Sequence, residues 1–549
     1  MKKIIIIVIY IAFNLLWSSC SKDFLERENP ETLAIDNFFK TEEDFRIAMA
    51  GVYNVLVRSD YYNVVMVRYL ELASDDAQPG DDPEFNSLMG DPIDNFYLTP
   101  ENFISINIFL ASYVGIARAN VVFSNIRKSQ LSEEFKNNIE AEARFLRALF
   151  YFNLVRLFGD VPMFLEEVTD EQDIMIPRTP VARVYEEGII PDLLFASENL
   201  PRSWQGQEIA RVNQWAAKAL LAKVYITIAS QNNDKGYFQE AREELWEIIQ
   251  NGPFSLEEKY EKLFDVDNSH GKESIFEISY LSGQYFYRFE GIGTGNYIPQ
   301  RNGIGSYYNL TYSPRFQGGV GGEWSFNGWG ICVPTTSNDN RGNGNYAVPH
   351  GTGITEAFQE GDRRKRVTIL DYYHEADSLY RDTTNTFVKP PDYNLSPYNV
   401  NKYTAWENSD NGEADDNFYI LRLADVYLMF AEAENEINNG PTELAYEYLN
   451  RVRRRAYGLS PETPSDIIDY SGLSYTDFLE NVYVERRLEL AFEGHRWFDL
   501  IRRPEKALEI LHRQGKTNAT KERLLLPVPQ YVINEMNTDE ELITQNPGY

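Results

Sequence analysis

The stretch Phe135–Pro162, FKNNIEAEARFLRALFYFNLVRLFGDVP, decides how the rest of the chain is read. Its apolar residues recur at three-and-four spacing, so Ala141, Phe145, Ala148, Leu149, Phe152 and Val155 share one side of a helix. Gly159-Asp160 ends that run, with Pro162 just beyond, where a helix is expected to stop. A helix with so broad an apolar stripe must bury it against neighbours of the same kind.

Outward from this stretch, the same periodicity predicts further helices. On the N-terminal side it covers Ile35–Val57, through Phe38, Phe45, Met49, Val52 and Leu56, and then Phe103–Ile126. On the C-terminal side Val212–Ala229 is answered by Tyr237–Ile249, and Tyr419–Ile437 by Leu444–Arg455 across the breaker Asn438-Asn439-Gly440-Pro441. Such pairs, with alanine and aromatic residues at their contacts, look like tetratricopeptide-type units. No clean 34-residue period recurs. The expected fold is therefore mainly α: a packed superhelix of tetratricopeptide-like helix pairs with a loop-rich, partly β ligand-binding region. Helical pairs are expected over about 35–274 and 416–549, within a single domain spanning 35–549. Between them, 275–415 is rich in Gly, Asn, Tyr and Pro, with short apolar runs such as Ile275–Tyr280 that read as strands. A polar, acidic loop is expected from about Ser74 to Thr99.

Composition narrows the function. The 549 residues include 83 acidic against 52 basic side chains, a net charge of −31 that repels nucleic acid and anionic lipid headgroups. Two cysteines, Cys20 and Cys332, and five scattered histidines show no zinc-ligand spacing, and no metal or cofactor is expected. Asp75-Asp76 and Asp81-Asp82 lack the order of a calcium loop and read as a solvated acidic segment. Cys332 reads as a buried free thiol. No GxSxG, HExxH or P-loop occurs, so the chain is read as a binder, not an enzyme. A glycoside hydrolase, which needs two facing carboxylates, remains an alternative. So does a scaffold that hardly binds substrate.

At the N-terminus, Met1-Lys2-Lys3 precedes the apolar run Ile4–Trp17, which suits a signal-peptide core better than a membrane span. The run stops at Ser18-Ser19-Cys20. This resembles a bacterial lipoprotein signal, with 1–19 as the signal peptide, Cys20 as the lipidated residue and 20–34 as a tether. An uncleaved anchor helix is the alternative. Ser21-Lys22-Asp23 beside the cysteine looks like the export signal of surface lipoproteins in Bacteroidota. No other segment reads as a transmembrane span.

Taken together, these blocks resemble the SusD/RagB family of nutrient-binding lipoproteins. The likeness rests on Asp23-Phe24-Leu25-Glu26, Ala50-Gly51-Val52-Tyr53, Ala141–Ala148 running to Phe158–Pro162, Arg211–Ala222 and Tyr419–Leu428. It continues through Glu485–Leu500, Leu526-Pro527-Val528-Pro529 and Gln545–Tyr549. The resemblance implies a loop-built ligand face, a glycan ligand, a SusC-like TonB-dependent transporter as partner, and a place on the cell outer membrane. Some relatives take peptides or glycoproteins instead.

Sugar recognition needs flat rings against pyranose faces and polar groups for hydroxyls, presented on exposed loops. Tyr285, Tyr287, Arg288, Trp324, Asn327 and Trp329 are the densest such set, with Tyr307 and Tyr308 next. Tyr62 (beside Tyr61) and Asp76 come from the early acidic region, and in the family loops from these two regions meet. No Trp occurs between Trp17 and Trp204, so stacking falls to the 280–330 region. Arg144, Arg147 and the Glu485–Glu493 charges read as ties between helices, and Trp497 as packing.

Overall fold

Side-chain caps set the starts of several helices in the computed structural model, which describes residues 38–80, 86–288, 300–312, 330–337, 353–371, 398–403, 414–537 and 542–549. Thr41 opens α1 (Glu42–Tyr53) with a capping box, its N–H donating to Asp44 Oδ2 at 2.7 Å while Asp44 N–H donates to Thr41 Oγ1 at 3.3 Å. The box places the helix start seven residues after the expected Ile35. Next come α2 (Val65–Ala73), which the periodicity did not single out, and the short strand β1 (Ala77–Pro79).

The central pair is α3 (Phe103–Ile126), capped by Asn102, and α4 (Glu133–Phe158), capped by Ser132. Gly159 ends α4 at φ 73°, a left-handed value that glycine adopts without strain. The α3 helix corrects one expectation. At 24 residues it is long and apolar enough to cross a membrane, a test only the N-terminal run was expected to approach. Here it packs on α1 and α4, and neighbours on two sides account for its apolar composition.

Following them are α5 (Ile190–Asn199), α6 (Gln214–Asn232) and α7 (Lys235–Asn251). Arg147 on α4 donates to both carboxylate oxygens of Asp192 on α5 at 2.8 Å each, tying the two helices as expected. Beyond the loop-rich insert, α8 (Leu423–Asn438) and α9 (Glu443–Ala456) form the second pair. The break between them is a left-handed turn at Asn439, φ 54°.

Consecutive neighbours pack in a continuous stack from α3 through α9, and α7 lies directly on α8 although 171 residues separate Asn251 from Leu423 in the numbering. Trp246 stacks on Phe430 with centroids 5.4 Å apart, and Arg242 pairs with Glu434 at 2.8 Å across that junction. The insert therefore leaves and re-enters the stack without interrupting it. Further helices close the C-terminal side, among them α10 (Tyr475–Glu489), α11 (Arg496–Ile501) and α12 (Pro504–Arg513). One apolar core runs from Phe45 to Ile543.

The described strands of the insert pair only in twos, all antiparallel. Strand β2 (Ser274–Ile278) pairs with β8 (Phe418–Arg422), and β3 (Leu281–Arg288) with β4 (Gln300–Ile304). Strand β5 (Cys332–Pro334) pairs with β1, and β6 (Ile369–Asp371) with β7 (Tyr398–Val400). The β2–β8 ladder corrects the expected helix at Tyr419. Tyr419 and Leu421 are held opposite Glu277 and Phe276, so helical geometry begins only at Leu423.

Candidate functional site

Two regions far apart in sequence are bonded together to form the base of a loop face. Gln78 pairs with Val333 in the β1–β5 ladder, and Thr335 donates its N–H to Asp76 O at 2.9 Å and its hydroxyl to Asp75 O at 2.8 Å. Gly80 N–H donates to Ile331 O at 2.8 Å. The backbones come so close there that a Cβ on Gly80 would stand 1.6 Å from Gly330 O. Only glycine fits.

A second clasp lies a few residues earlier. The Asn63 side chain donates to Gly305 O at 3.0 Å and accepts from Tyr307 N–H at 2.7 Å, while Tyr308 donates its hydroxyl to Tyr62 O at 3.1 Å. Thr311 O accepts from Ile331 N–H at 2.9 Å. The segment carrying Trp324, Asn327 and Trp329 thus leaves and returns at one pinned point beside β1. These three residues lie outside the described residues. Tyr285, Tyr287 and Arg288 occupy β3, where Tyr287 stands opposite Arg301 and Arg288 opposite Gln300. Only their backbone belongs to the described structure.

The early-region candidates need correction. Tyr62 is 4% exposed and Tyr61 fully buried, and their hydroxyls accept from Asn153 Nδ2 at 2.8 and 3.0 Å. Neither ring is at the surface to stack on a ligand. Asp76 is fully buried, accepting from Arg487 Nε at 2.6 Å, and Asp75 accepts from Arg496 at 2.7 and 3.0 Å. The Asp75-Asp76 pair is therefore a salt-bridged anchor, not a solvated loop; Asp81 and Asp82 lie outside the described residues. The reason is electrostatic: the cations of α10 and α11 can accompany these carboxylates inward. Burial opposes ionisation of Asp75, yet the guanidinium groups of Arg487 and Arg496 outweigh it and hold the carboxyl below its usual range. Tyr308 is also interior, its ring among Tyr403 at 5.0 Å and Phe418 at 5.2 Å, while Tyr307 is half-buried.

Beneath this face, a buried charge network joins the insert to the helical body. Arg364, Lys402, Arg422, Arg453 and Arg455 meet Glu273, Asp362, Glu485, Glu489 and Glu493, five cations with five carboxylates. Arg422 is its hub, contacting Glu273 at 2.9 Å, Glu489 at 2.6 Å and Glu493 at 2.8 Å. The Glu485–Glu493 charges serve as ties, as their spacing suggested, though between insert and stack as well as between helices. Trp497 packs fully buried against Tyr69 and Phe96. Burial and the neighbouring Asp76 and Glu493 carboxylates lift the Glu71 carboxyl to about 8, despite a 2.9 Å bond from Gly494 N–H. Cys332 is a free buried thiol whose pKa burial raises.

Asn63 and Gly80 position the face and were not picked out from sequence. An asparagine between Tyr62 and Val64 carries no local sign of a partner some 240 residues away. Among the described residues, no three metal-ligating side chains cluster.

Comparison with known proteins places this architecture. Residues 260–549 match the family model described as the SusD family, and residues 23–226 match one described as starch-binding associating with outer membrane. SusD-like protein P2 of Formosa agariphila is 31% identical, the alignment covering 95% of this chain and 96% of the relative. SusD-like protein P25 of the same organism is 28% identical over 99% of both chains. Among solved structures, a laminarin binding SusD-like protein superposes with a TM-score of 0.71 at 28% identity, covering 93% of this chain and all of the other. Surface glycan-binding protein A from Bacteroides thetaiotaomicron, in complex with laminarihexaose, superposes at 0.72 over 92% of this chain and 99% of its own, and at 21% identity it speaks to the fold alone.

Proposed function

The chain belongs to the SusD family, and from that premise we propose that it is a cell-surface lipoprotein that captures an oligo- or polysaccharide and delivers it to a SusC-like TonB-dependent transporter in the outer membrane. The observation that carries this reading is the double clasp of β1–β5 and Asn63. It pins the described ends that flank the segment bearing Trp324, Asn327 and Trp329 onto the helical stack. A rigid body with aromatic-bearing loops suits a ligand that is held and released intact. The laminarin binding relative and the second family description point the same way.

In this reading Cys20 carries the acyl anchor, 20–34 is the tether, 35–549 is one domain, and no catalysis is performed. Affinity electrophoresis on a panel of neutral and acidic glycans tests it. The expected result is retardation by at least one glycan without product release, lost in Trp324→Ala or Trp329→Ala at unchanged melting temperature. Unchanged retardation in both variants, or release of shortened sugars, would refute it.

A further inference from the structure

The molecule carries a net charge of −31, yet one recess reverses that sign locally. It has a volume of about 250 Å3 among α10, α11 and α12, and Arg487, Arg496, Arg503, Lys506 and Arg513 line it. The acids on its wall are Asp75, Glu480 and Asp499. Asp499 is neutralised from outside the lining, by Arg486 at 2.8 Å and Arg502 at 3.1 Å. Arg487 likewise pairs outside it, with Asp76 at 2.6 Å, which leaves Arg496, Arg503, Lys506 and Arg513 facing Asp75 and Glu480. Lys506 and Arg513 share a single half-exposed acid, Glu509, at 3.0 and 2.5 Å.

Arg503 is the most telling member. Its guanidinium lies 4.0 Å from the Tyr483 ring centroid, which fixes the plane of the fork. Its Nη2 donates to Glu480, and among the described residues no acceptor meets its Nε or Nη1. Arg496 spends Nε and Nη2 on Asp75, and Nη1 likewise meets no acceptor among the described residues. Planar forks with spare donors in a recess suit the oxygens of a sulfate or carboxylate. Val484, Leu500, Ala507 and Ile510 add an apolar wall against which a sugar ring can lie.

We propose that this recess binds an oxyanion carried by a glycan, the sulfate or carboxylate substituent of an acidic sugar. That the anion arrives on a glycan rests on the function proposed above; the excess of cations in the recess does not. In a molecule so negative overall, an anionic substituent finds a favourable potential only where such an excess is concentrated. The recess also borders Asp75, whose backbone carbonyl holds Thr335 at the base of the loop face, so one chain could engage both.

The test is titration calorimetry of the full mature chain with glucose, glucuronate, galactose 6-sulfate and inorganic sulfate at matched ionic strength. Glucuronate or galactose 6-sulfate should bind where glucose does not. Arg503→Met should weaken that binding about tenfold, the loss of one charge-assisted contact. Lys506→Gln/Arg513→Gln, at exposed positions that leave folding intact, should weaken it several-fold. Equal affinity for glucose and the acidic sugars, or unchanged affinity in both variants, overturns the proposal. Inorganic sulfate binding as tightly as the sugar sulfate overturns the glycan-borne assignment. Neutral glycans retained with no acidic sugar bound would sink this inference alone, whereas acidic sugars bound in the recess with retardation unchanged in both Trp324→Ala and Trp329→Ala would sink the loop-face reading above and leave this inference standing.

Discussion

Replacing Arg422 by methionine probes the device that holds the loop-bearing insert on the helical stack. The substitution keeps length and bulk but deletes the bonds to Glu493 at 2.8 and 3.0 Å, to Glu273 at 2.9 Å, to Glu489 Oε1 at 2.6 Å and to Glu489 O at 2.8 Å. Charge-assisted bonds contribute roughly 1.5–3 kcal/mol each, which would overstate the loss if summed. Every carboxylate that Arg422 touches keeps another cation: Arg455 at 3.1 Å from Glu273 and 2.5 Å from Glu489, and Lys402 at 2.7 Å from Glu493. What remains is one uncompensated negative charge in a fully buried site, for which about 3–5 kcal/mol is expected. Equilibrium guanidinium unfolding followed by tryptophan fluorescence measures it. Arg422→Met/Glu493→Gln restores neutrality and leaves Lys402 an amide acceptor, so it should be less destabilised than the sum of its parts by more than about 1.5 kcal/mol. A single-variant cost below about 1 kcal/mol, or additivity within about 0.5 kcal/mol, would refute the reading of a neutral, mutually dependent network.

Asn63→Ala should cost about 2 kcal/mol, because it strands Gly305 O and Tyr307 N–H, and it should also loosen glycan retention; unaltered retention on affinity gels would separate the clasp from the binding face. For Glu71 the folded pKa of about 8 lies above the usual 4.5, so its contribution to stability is complete below about pH 4.5 and is lost as pH rises through 8. Glu71→Gln should therefore leave the melting temperature unchanged near pH 5 and raise it by pH 9, where the ionised side chain costs about 5 kcal/mol. Lys402, lowered to about 8 chiefly by burial, acts in the opposite sense between 8 and 10.5 but is common to both proteins; a pH-independent difference would count against the assignment. Cys20→Ser should release the protein from the membrane fraction, checked by cell fractionation, and a variant still membrane-bound would count against lipidation.

Much of the fold was legible because helix periodicity is local. The stripe over Ala141–Val155 and the breaker at Asn438–Pro441 specify where helices must bury a face and where they must end, and the observed α4, α8 and α9 follow them. Tyr419 reads as helical in sequence for the complementary reason: β8 exists through its pairing with β2, and a five-residue apolar run carries no mark of which partner it will meet. The same limit applied to Asp75 and Asp76. Clustered carboxylates read as solvated unless the cations that accompany them inward are known, and Arg487 and Arg496 lie more than 400 positions away.

By itself, then, the sequence determined the helical pairs and the family, since each is written in residues near one another. Only the tertiary structure decided which acids are interior, where the insert is clasped, and that cations from three C-terminal helices gather in one recess. Those are long-range electrostatic and backbone contacts, and their energies depend on distances that no local pattern encodes.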